Sequence, residues 1–385
     1  MKILFTSDLY TTATNGVVTS VRALTEELEK RGHEIRILTL SENNKTRKEG
    51  NVYYMKSFSA DFIYPDLRMV ASFRNKYVDE LIAWKPDVIH THSEFFSYQF
   101  ALRIAKKTGA PIIDTYHTLY EEYVGYVFPL KRLGRFLVRK LTKARLKSAA
   151  AVIAPTEKAK KVLLGYGMKN PLYVQPSGID LRQHKMRLTD EERRTRRREL
   201  GFSDAPVLIN LGRLGVEKNV DEVLHLFAQA YQKRPDIQLL IVGDGPAKEA
   251  LTELAKDLEI EKACVFTGMV DPKKTQEYYQ LGDIFVSASQ SETQGLTYIE
   301  AMANGLPLLC RKDECQEGML FEGENGYAYE TEEEFSVWLN ELLCHNYRRA
   351  QMGKASEQIA EKYDNAAFAR AIEKIYFVTI KKREP

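Results

Sequence analysis

No stretch of this 385-residue chain approaches the roughly 20 uninterrupted apolar residues that a membrane-spanning helix needs. The N-terminal "MKILFTSDLY" lacks the long apolar core and small-residue cleavage site of a signal peptide, and reads as a first β-strand. Cysteine is scarce. The four present, Cys264, Cys310, Cys315 and Cys344, form no CxxC pair and no zinc-like spacing. They read as reduced thiols of a cytosolic protein. A dinucleotide fingerprint is also missing: "VGDGP", Val242 to Pro246, ends a strand with a glycine turn but is not GxGxxG, which argues against an NAD oxidoreductase. There is no low-complexity segment and no short-period repeat.

What is present is ordinary globular composition, 44% apolar and 28% charged, with length for two domains. The net charge of +3 is unevenly spread. Residues 1–180 hold 28 basic against 18 acidic side chains, and the remainder 28 against 35. The first half is therefore expected to meet something anionic. β-Branched runs, "KILFT", "IRILTL", "DVIHTH", "PIIDTYH" and "AVIAPT", alternate with amphipathic stretches such as "VVTSVRALTEELEKRG", which stops at Gly32. The pattern restarts with "VLINLGR", "LLIVGDG", "CVFTG", "IFVSAS" and "LPLLC". This predicts an α/β chain with two doubly wound, Rossmann-like domains, 1–175 and 176–364, split within "YVQPSGID". The arginines of "MRLTDEERRTRRRELG" read as a solvated helix face or an anion site. The last helix, about 365–385, has no following strand and is expected to pack back on the first domain. Ligands of open α/β sheets bind beyond the carboxyl ends of the strands, so the two domains are expected to face each other across a cleft that holds the chemistry.

The stretch "SETQGLTYIEAMANGLP", Ser291 to Pro307, carries that chemistry most clearly. It leaves a strand, crosses a short loop and opens a helix at Gly295. Backbone N–H groups of Gln294, Gly295, Leu296 and Thr297 have no intrahelical partners and suit a phosphate. Glu292 precedes that site and Glu300 lies about one and a half turns inside the helix. Carboxylates on either side of a diphosphate are acceptors for hydroxyls, so the spacing points to a sugar–diphosphate–nucleoside. "NLGRLGVEKN" adds Arg213 and Lys218 at another strand exit, where two cations can neutralise a departing diphosphate. "TTATNGVVTS" places Asn15 and Gly16 before a helix, a second loop where backbone could approach a phosphate. His90 and His92 share a strand face and could be half of a metal site, but no Asp or Cys has matching ligand spacing.

Together these pieces resemble the retaining glycosyltransferases of family four, which have the GT-B fold. Their Glu-x7-Glu signature corresponds to Glu292 and Glu300, their basic pair to Arg213 and Lys218, their glycine-rich first loop to Asn15-Gly16, and their N-domain histidine to His117 in "DTYHTLYEEY". The resemblance implies that Glu292 and the backbone of Gln294, Gly295 and Leu296 hold the donor sugar. Glu300 would bind the ribose, Arg213 and Lys218 the diphosphate, and the backbone around Met269 and Val270 the base. His117 would lie near the reacting centre. Gln294 departs from the family, which usually has an aromatic residue there. No DxD pair, the Mg²⁺ or Mn²⁺ holder of the GT-A class, is present, so activity without a metal or other cofactor is expected. Both glutamates belong to one helix start, unlike the two flanking carboxylates of a glycosidase. The expected enzyme is a hexosyltransferase using a nucleotide sugar, UDP-glucose first. A nucleotide-sugar epimerase and a catalytically silent binding subunit are the alternatives. Nucleic acid is not an expected partner.

The acceptor is read from "KRLGRFLVRKLTKARLK", Lys131 to Lys147, with eight basic residues and no acid. Leu133, Leu137, Leu141 and Ala144 form a stripe at helical spacing, with Phe136 and Val138 as further apolar material. Beside the aromatic runs "EFFSYQF" and "YHTLYEEYVGYVF", such a helix suits an anionic membrane surface, with Arg135, Phe136, Arg139, Lys140 and Lys143 as contacts. The competing arrangement has the stripe packed on the sheet. "HTHSEF" and "TYHTLYEEYVGYV" resemble the acceptor-side segments of bacterial 1,2-diacylglycerol 3-glucosyltransferases within the family. That resemblance implies a lipid acceptor such as diacylglycerol, and a cytoplasmic protein peripheral on the inner face of the cell membrane. A small soluble molecule or a growing glycan is the alternative acceptor.

Overall fold

The computed structural model describes residues 1–10, 16–60, 67–93, 95–124 and 130–382. The chain divides into two compact units, Met1–Gly178 with Asn365–Pro385, and Ile179–Asp364.

The first unit holds strands β1 (Lys2–Ser7), β2 (Glu34–Ser41), β3 (Arg47–Glu49), β4 (Val52–Lys56), a two-residue pair β5 (Phe58–Ser59) and β6 (Arg68–Met69), then β7 (Val88–Thr91), β8 (Ile112–Thr115), β9 (Ala151–Ala154) and β10 (Leu172–Val174). The main sheet runs β10-β9-β8-β7-β1-β2-β4-β3. It is parallel throughout except for β3 against β4. Helices cover both faces, so β1, β7, β8 and β9 are buried on both sides, with apolar residues at most positions and polar ones such as His90 and Asp114 toward the strand ends. The helix Gly16–Lys30 forms because Val18, Val21, Leu24 and Leu28 recur on one face, and it ends before Gly32, whose φ of +83° an L-residue resists. The final helix, Asn365–Lys381, packs Phe368, Ile372 and Tyr376 into the core formed by Phe5, Val21 and Leu24. Burying each such side chain contributes roughly 1.5–3 kcal/mol.

The second unit holds β11 (Val207–Leu211), β12 (Gln238–Val242), β13 (Cys264–Phe266), β14 (Ile284–Ser287), β15 (Leu308–Arg311) and β16 (Gly326–Tyr329) in the all-parallel order β13-β12-β11-β14-β15-β16. Strands β4, β10 and β16 lie outside the runs expected from the sequence. The arginine-rich helix Asp190–Glu199 is not simply a solvated face. Arg193 and Arg197 share the Asp283 carboxylate at 2.7 Å each and take the backbone carbonyls of Gln280, Leu281 and Gly282, while Arg196 pairs with Glu277. These guanidiniums hold the loop entering β14, and the neighbouring cations keep the largely buried Asp283 ionised below the usual carboxylate range. All four cysteines are free thiols, with only Cys344 exposed.

Candidate active site

Each sheet reverses its winding at one place: between β1 and β7 in the first unit, and between β11 and β14 in the second. Exit loops on either side of such a reversal diverge and leave a crevice for a ligand. Gly16 lies at the first of these places, and Arg213, Lys218, Glu292 and Gln294 lie at the second.

In the second unit the β11 exit carries Arg213 and Lys218, and the β14 exit carries Glu292 and Gln294. Residues far apart in sequence are thereby brought together. Lys218 Nζ donates to Glu292 Oε1 at 2.6 Å, and Ser289 Oγ donates to the same oxygen at 3.0 Å. Arg213 pairs with Glu217. The two loops are tied by Ser291 Oγ to Glu217 O at 3.0 Å and by Asn219 Nδ2 to Ala288 O at 3.2 Å. A single compact set of cations and carboxylates results, with both Lys218 and Glu292 still partly open to solvent.

Gly295 opens the helix Leu296–Ala303 in the left-handed conformation, φ +77°, and no side chain caps this end. A Cβ there would lie 2.6 Å from the Tyr298 ring, so the position demands glycine. The first N–H groups of the helix and its dipole make a place for an anion. Gln294 is buried beside it. Glu300, one turn further, accepts from the fully buried Tyr279 hydroxyl at 2.8 Å. Burial pushes the Glu300 carboxyl up to about 7, against which the Tyr279 hydrogen bond acts only in part.

The β12 exit supports this floor. Gly212 N–H donates to Val242 O and Leu214 N–H to Asp244 O, both at 2.9 Å. A Cβ on Gly243 would sit 1.9 Å from Gly212 O, so the two loops pack backbone to backbone. Asp244 accepts from Gly245 N–H and from Lys248, each at 2.8 Å, and also holds the backbone of Met269. The Met269 side chain is exposed, whereas Val270 is half-buried against the core. Tyr279 and Asp244 were missed by sequence reasoning. The glycine turn around Asp244 was its only local signal.

In the first unit Gly16 begins its helix beside β1, and Asn15 lies outside the described residues. His90, His92 and His117 gather on one face of the sheet at the ends of β7 and β8. His90 is bonded at both ring nitrogens, to the Tyr376 hydroxyl at 2.6 Å and to Thr115 Oγ1 at 2.7 Å. His92 Nδ1 lies 3.0 Å from His117 Nε2. Burial lowers His90 to about 3 and His117 to about 4, and lowers His92 as well, so all three rings are neutral near pH 7. Among the described residues no group of three or more His, Cys, Asp or Glu could hold a metal ion.

The basic segment is a helix, Lys131–Leu146, and most of its apolar stripe is exposed rather than packed on the sheet. Thr142 and Leu146 are buried and Leu137 is half-buried, whereas Leu133 and Leu141 are 51% and 53% exposed and Ala144 is exposed. Phe136 is also half exposed, with Lys140 Nζ 4.6 Å from its ring centre. Arg135 and Lys143 are exposed, and Arg139 donates to Gly165 O. The outer surface of the helix is therefore mixed leucine, phenylalanine and cation. Part of the upstream aromatic run, residues 125–129, lies outside the described residues, as does Glu94. No described helix is long and apolar enough to cross a membrane.

Comparisons with known proteins agree with this architecture. Residues 14–183 match the family description "Glycosyltransferase Family 4" and residues 192–359 match "Glycosyl transferases group 1". The chain is 33% identical to an alpha-monoglucosyldiacylglycerol synthase of Streptococcus pneumoniae, over 89% of this chain and 78% of the relative. It is 30% identical to the protein of the same name from Acholeplasma laidlawii, over 99% and 98%. Among solved structures, sucrose-phosphate synthase from Thermosynechococcus elongatus superposes with a TM-score of 0.79 at 19% identity, over 99% of both chains. Anabaena HepE in complex with UDP-glucose superposes with a TM-score of 0.76 at 16% identity, over 98% of this chain and all of that one. The fold is GT-B, and the chain belongs to glycosyltransferase family 4.

Proposed function

We propose that this glycosyltransferase moves a hexose from a nucleotide sugar, UDP-glucose first, to a membrane lipid, diacylglycerol first, with retention at the anomeric carbon and without a metal. The observation that carries the donor side is the convergence of Arg213, Lys218, Glu292 and the uncapped helix start at Gly295 on one sheet reversal. The cations and helix N–H groups bind the diphosphate and stabilise the charge that grows as it leaves. Glu300 takes the ribose, the Met269–Val270 backbone the base, and Glu292 a sugar hydroxyl. The family resemblance gives His117 a place at the sugar. The acceptor hydroxyl enters on the face the diphosphate leaves, and a leaving-group oxygen takes its proton. Arg213 and Lys218 do the work a divalent cation does elsewhere. The names of the two relatives support the lipid acceptor, and the exposed Leu133, Phe136 and Leu141 among cations support docking on an anionic inner membrane surface.

The test is incubation of purified protein with radiolabelled UDP-glucose and dioleoylglycerol in phosphatidylglycerol vesicles. A labelled lipid with an α-anomeric signal is expected. Turnover only with a soluble acceptor would return a small hydroxy compound or a glycan to first place. Interconversion of the sugar without an acceptor would mark an epimerase.

A further inference from the structure

We infer that His92 donates its Nδ1 proton to His117 Nε2 and so fixes His117 as the tautomer whose remaining proton sits on Nδ1. His92 is a positioning residue, and it makes His117 a hydrogen-bond donor rather than a proton acceptor. The inference deepens the transferase reading and rests on it for the meaning of His117.

The argument is one of proton counting. His92 Nδ1 and His117 Nε2 are 3.0 Å apart, and their rings lie nearly parallel with centres 5.3 Å apart. A contact between two imidazole nitrogens needs one proton. Both rings are neutral, since burial disfavours the cation and the His90 ring lies close to His92, centres 4.1 Å apart, where a second positive charge would be repelled. Two arrangements remain. If His117 donates, His92 must carry its proton on Nε2. That atom is buried with no partner among the described residues, and His92 as a whole is 3% exposed. A stranded buried N–H is the rarer defect in native proteins, and its desolvation costs about 1–3 kcal/mol. If His92 donates, its Nε2 is a bare lone pair, the milder defect. The second arrangement follows.

Its rigidity comes from the neighbours. His90 cannot compete for either ring, because the Tyr376 hydroxyl and Thr115 Oγ1 occupy both of its nitrogens. Phe5 meets His90 and His92 edge to face, with ring centres 5.5 Å and 5.2 Å away. His117 is half-buried and its Nε2 is taken, so Nδ1 is the nitrogen left for a substrate. An N–H there can donate to a sugar oxygen. It cannot take the proton of an attacking hydroxyl, which leaves that proton to the departing diphosphate.

Protein labelled with ¹⁵N-histidine, without substrate at pH 8, should show His117 with Nδ1 protonated and Nε2 bare in two-bond proton–nitrogen spectra. His92→Phe removes the donor and should shift His117 toward the Nε2–H form, lowering kcat about 100-fold with donor KM little changed. His92→Asn places a carboxamide N–H where Nδ1 was. It should keep the Nδ1–H form of His117 and recover kcat to within about tenfold of wild type. An Nε2–H His117 in the wild-type protein overturns the inference, as does a His92→Phe protein whose His117 tautomer is unchanged. If His92→Phe does not fold, the wild-type spectrum still decides. Absence of any transferase activity would count against the transferase reading and leave the spectroscopic result standing.

Discussion

Lys218 and Glu292, 74 residues apart in sequence, meet at 2.6 Å where the second sheet reverses its winding. A cation suited to a diphosphate and a carboxylate suited to a sugar hydroxyl thus hold each other. A partly exposed pair contributes at most about 1 kcal/mol to stability. Lys218→Ala should therefore leave the melting temperature within a few degrees of wild type but lower kcat about 100-fold or more, because the lysine faces charge that grows in the transition state. Thermal melting and steady-state kinetics on one preparation check this. A large melting shift with kcat unchanged would make the pair purely structural.

Glu300 as the proposed ribose ligand should make nucleotide binding depend on pH. Its carboxyl is raised to about 7 by burial, and the ionised form is the better acceptor for ribose hydroxyls. UDP affinity should rise between pH 6 and pH 8 and lose that slope in Glu300→Gln. The stability effect has the opposite sign. The folded state holds a proton between about 4.5 and 7 that the unfolded chain has released, so stability from this group falls as pH rises through that window. Glu300→Gln should raise the melting temperature at pH 8 more than at pH 5, by an amount on the order of 1 kcal/mol. Titration calorimetry and melting at the two pH values read both effects.

Gly295→Ala tests the helix start. The φ of +77° and a Cβ 2.6 Å from the Tyr298 ring leave no room for a side chain. A loss of about 1–3 kcal/mol in stability is expected, together with about tenfold weaker UDP binding as the N–H groups move. A variant with wild-type UDP affinity would place the diphosphate elsewhere.

Membrane docking is expected to be electrostatic in reach and apolar at contact. The protein should sediment with phosphatidylglycerol vesicles and be released by salt. Replacing Arg135, Lys140 and Lys143 with Glu should abolish sedimentation and spare UDP binding, since each cation contributes about 1 kcal/mol near an anionic surface. Arg139 is kept because it holds Gly165 O. Equal recovery on neutral and anionic vesicles would remove the membrane from the reading.

Turnover should persist in excess EDTA if, as proposed, Arg213 and Lys218 take the role of a metal. Activity lost in chelator and restored by Mg²⁺ or Mn²⁺ would contradict this.

The sequence by itself determined what is local. Short apolar runs such as "KILFT" and "VLINLGR", bounded by turn residues, read as strands buried on both faces. Glycines such as Gly295 and Gly32 mark turns because L side chains rarely adopt their left-handed backbone, and at Gly295 a Cβ would also meet the Tyr298 ring. Strands β10 and β16 escaped because β10 is an edge strand whose residues are only half-buried and β16 opens on Gly326, so pairing to β9 and β15 defines them. Tertiary structure decided everything that depends on which loops share a sheet reversal. Nothing in "DTYHTLYEEY" shows that His117 leans on His92, or that Tyr376, 286 residues beyond His90, pins that ring from the last helix. Nor does spacing along the chain reveal that Tyr279 braces Glu300, or that Arg193 and Arg197 are consumed by Asp283. Periodicity reports the environment of a residue relative to its own element. Partners from distant elements are selected by strand order and by burial, which make an unpaired charge or donor too costly to leave alone.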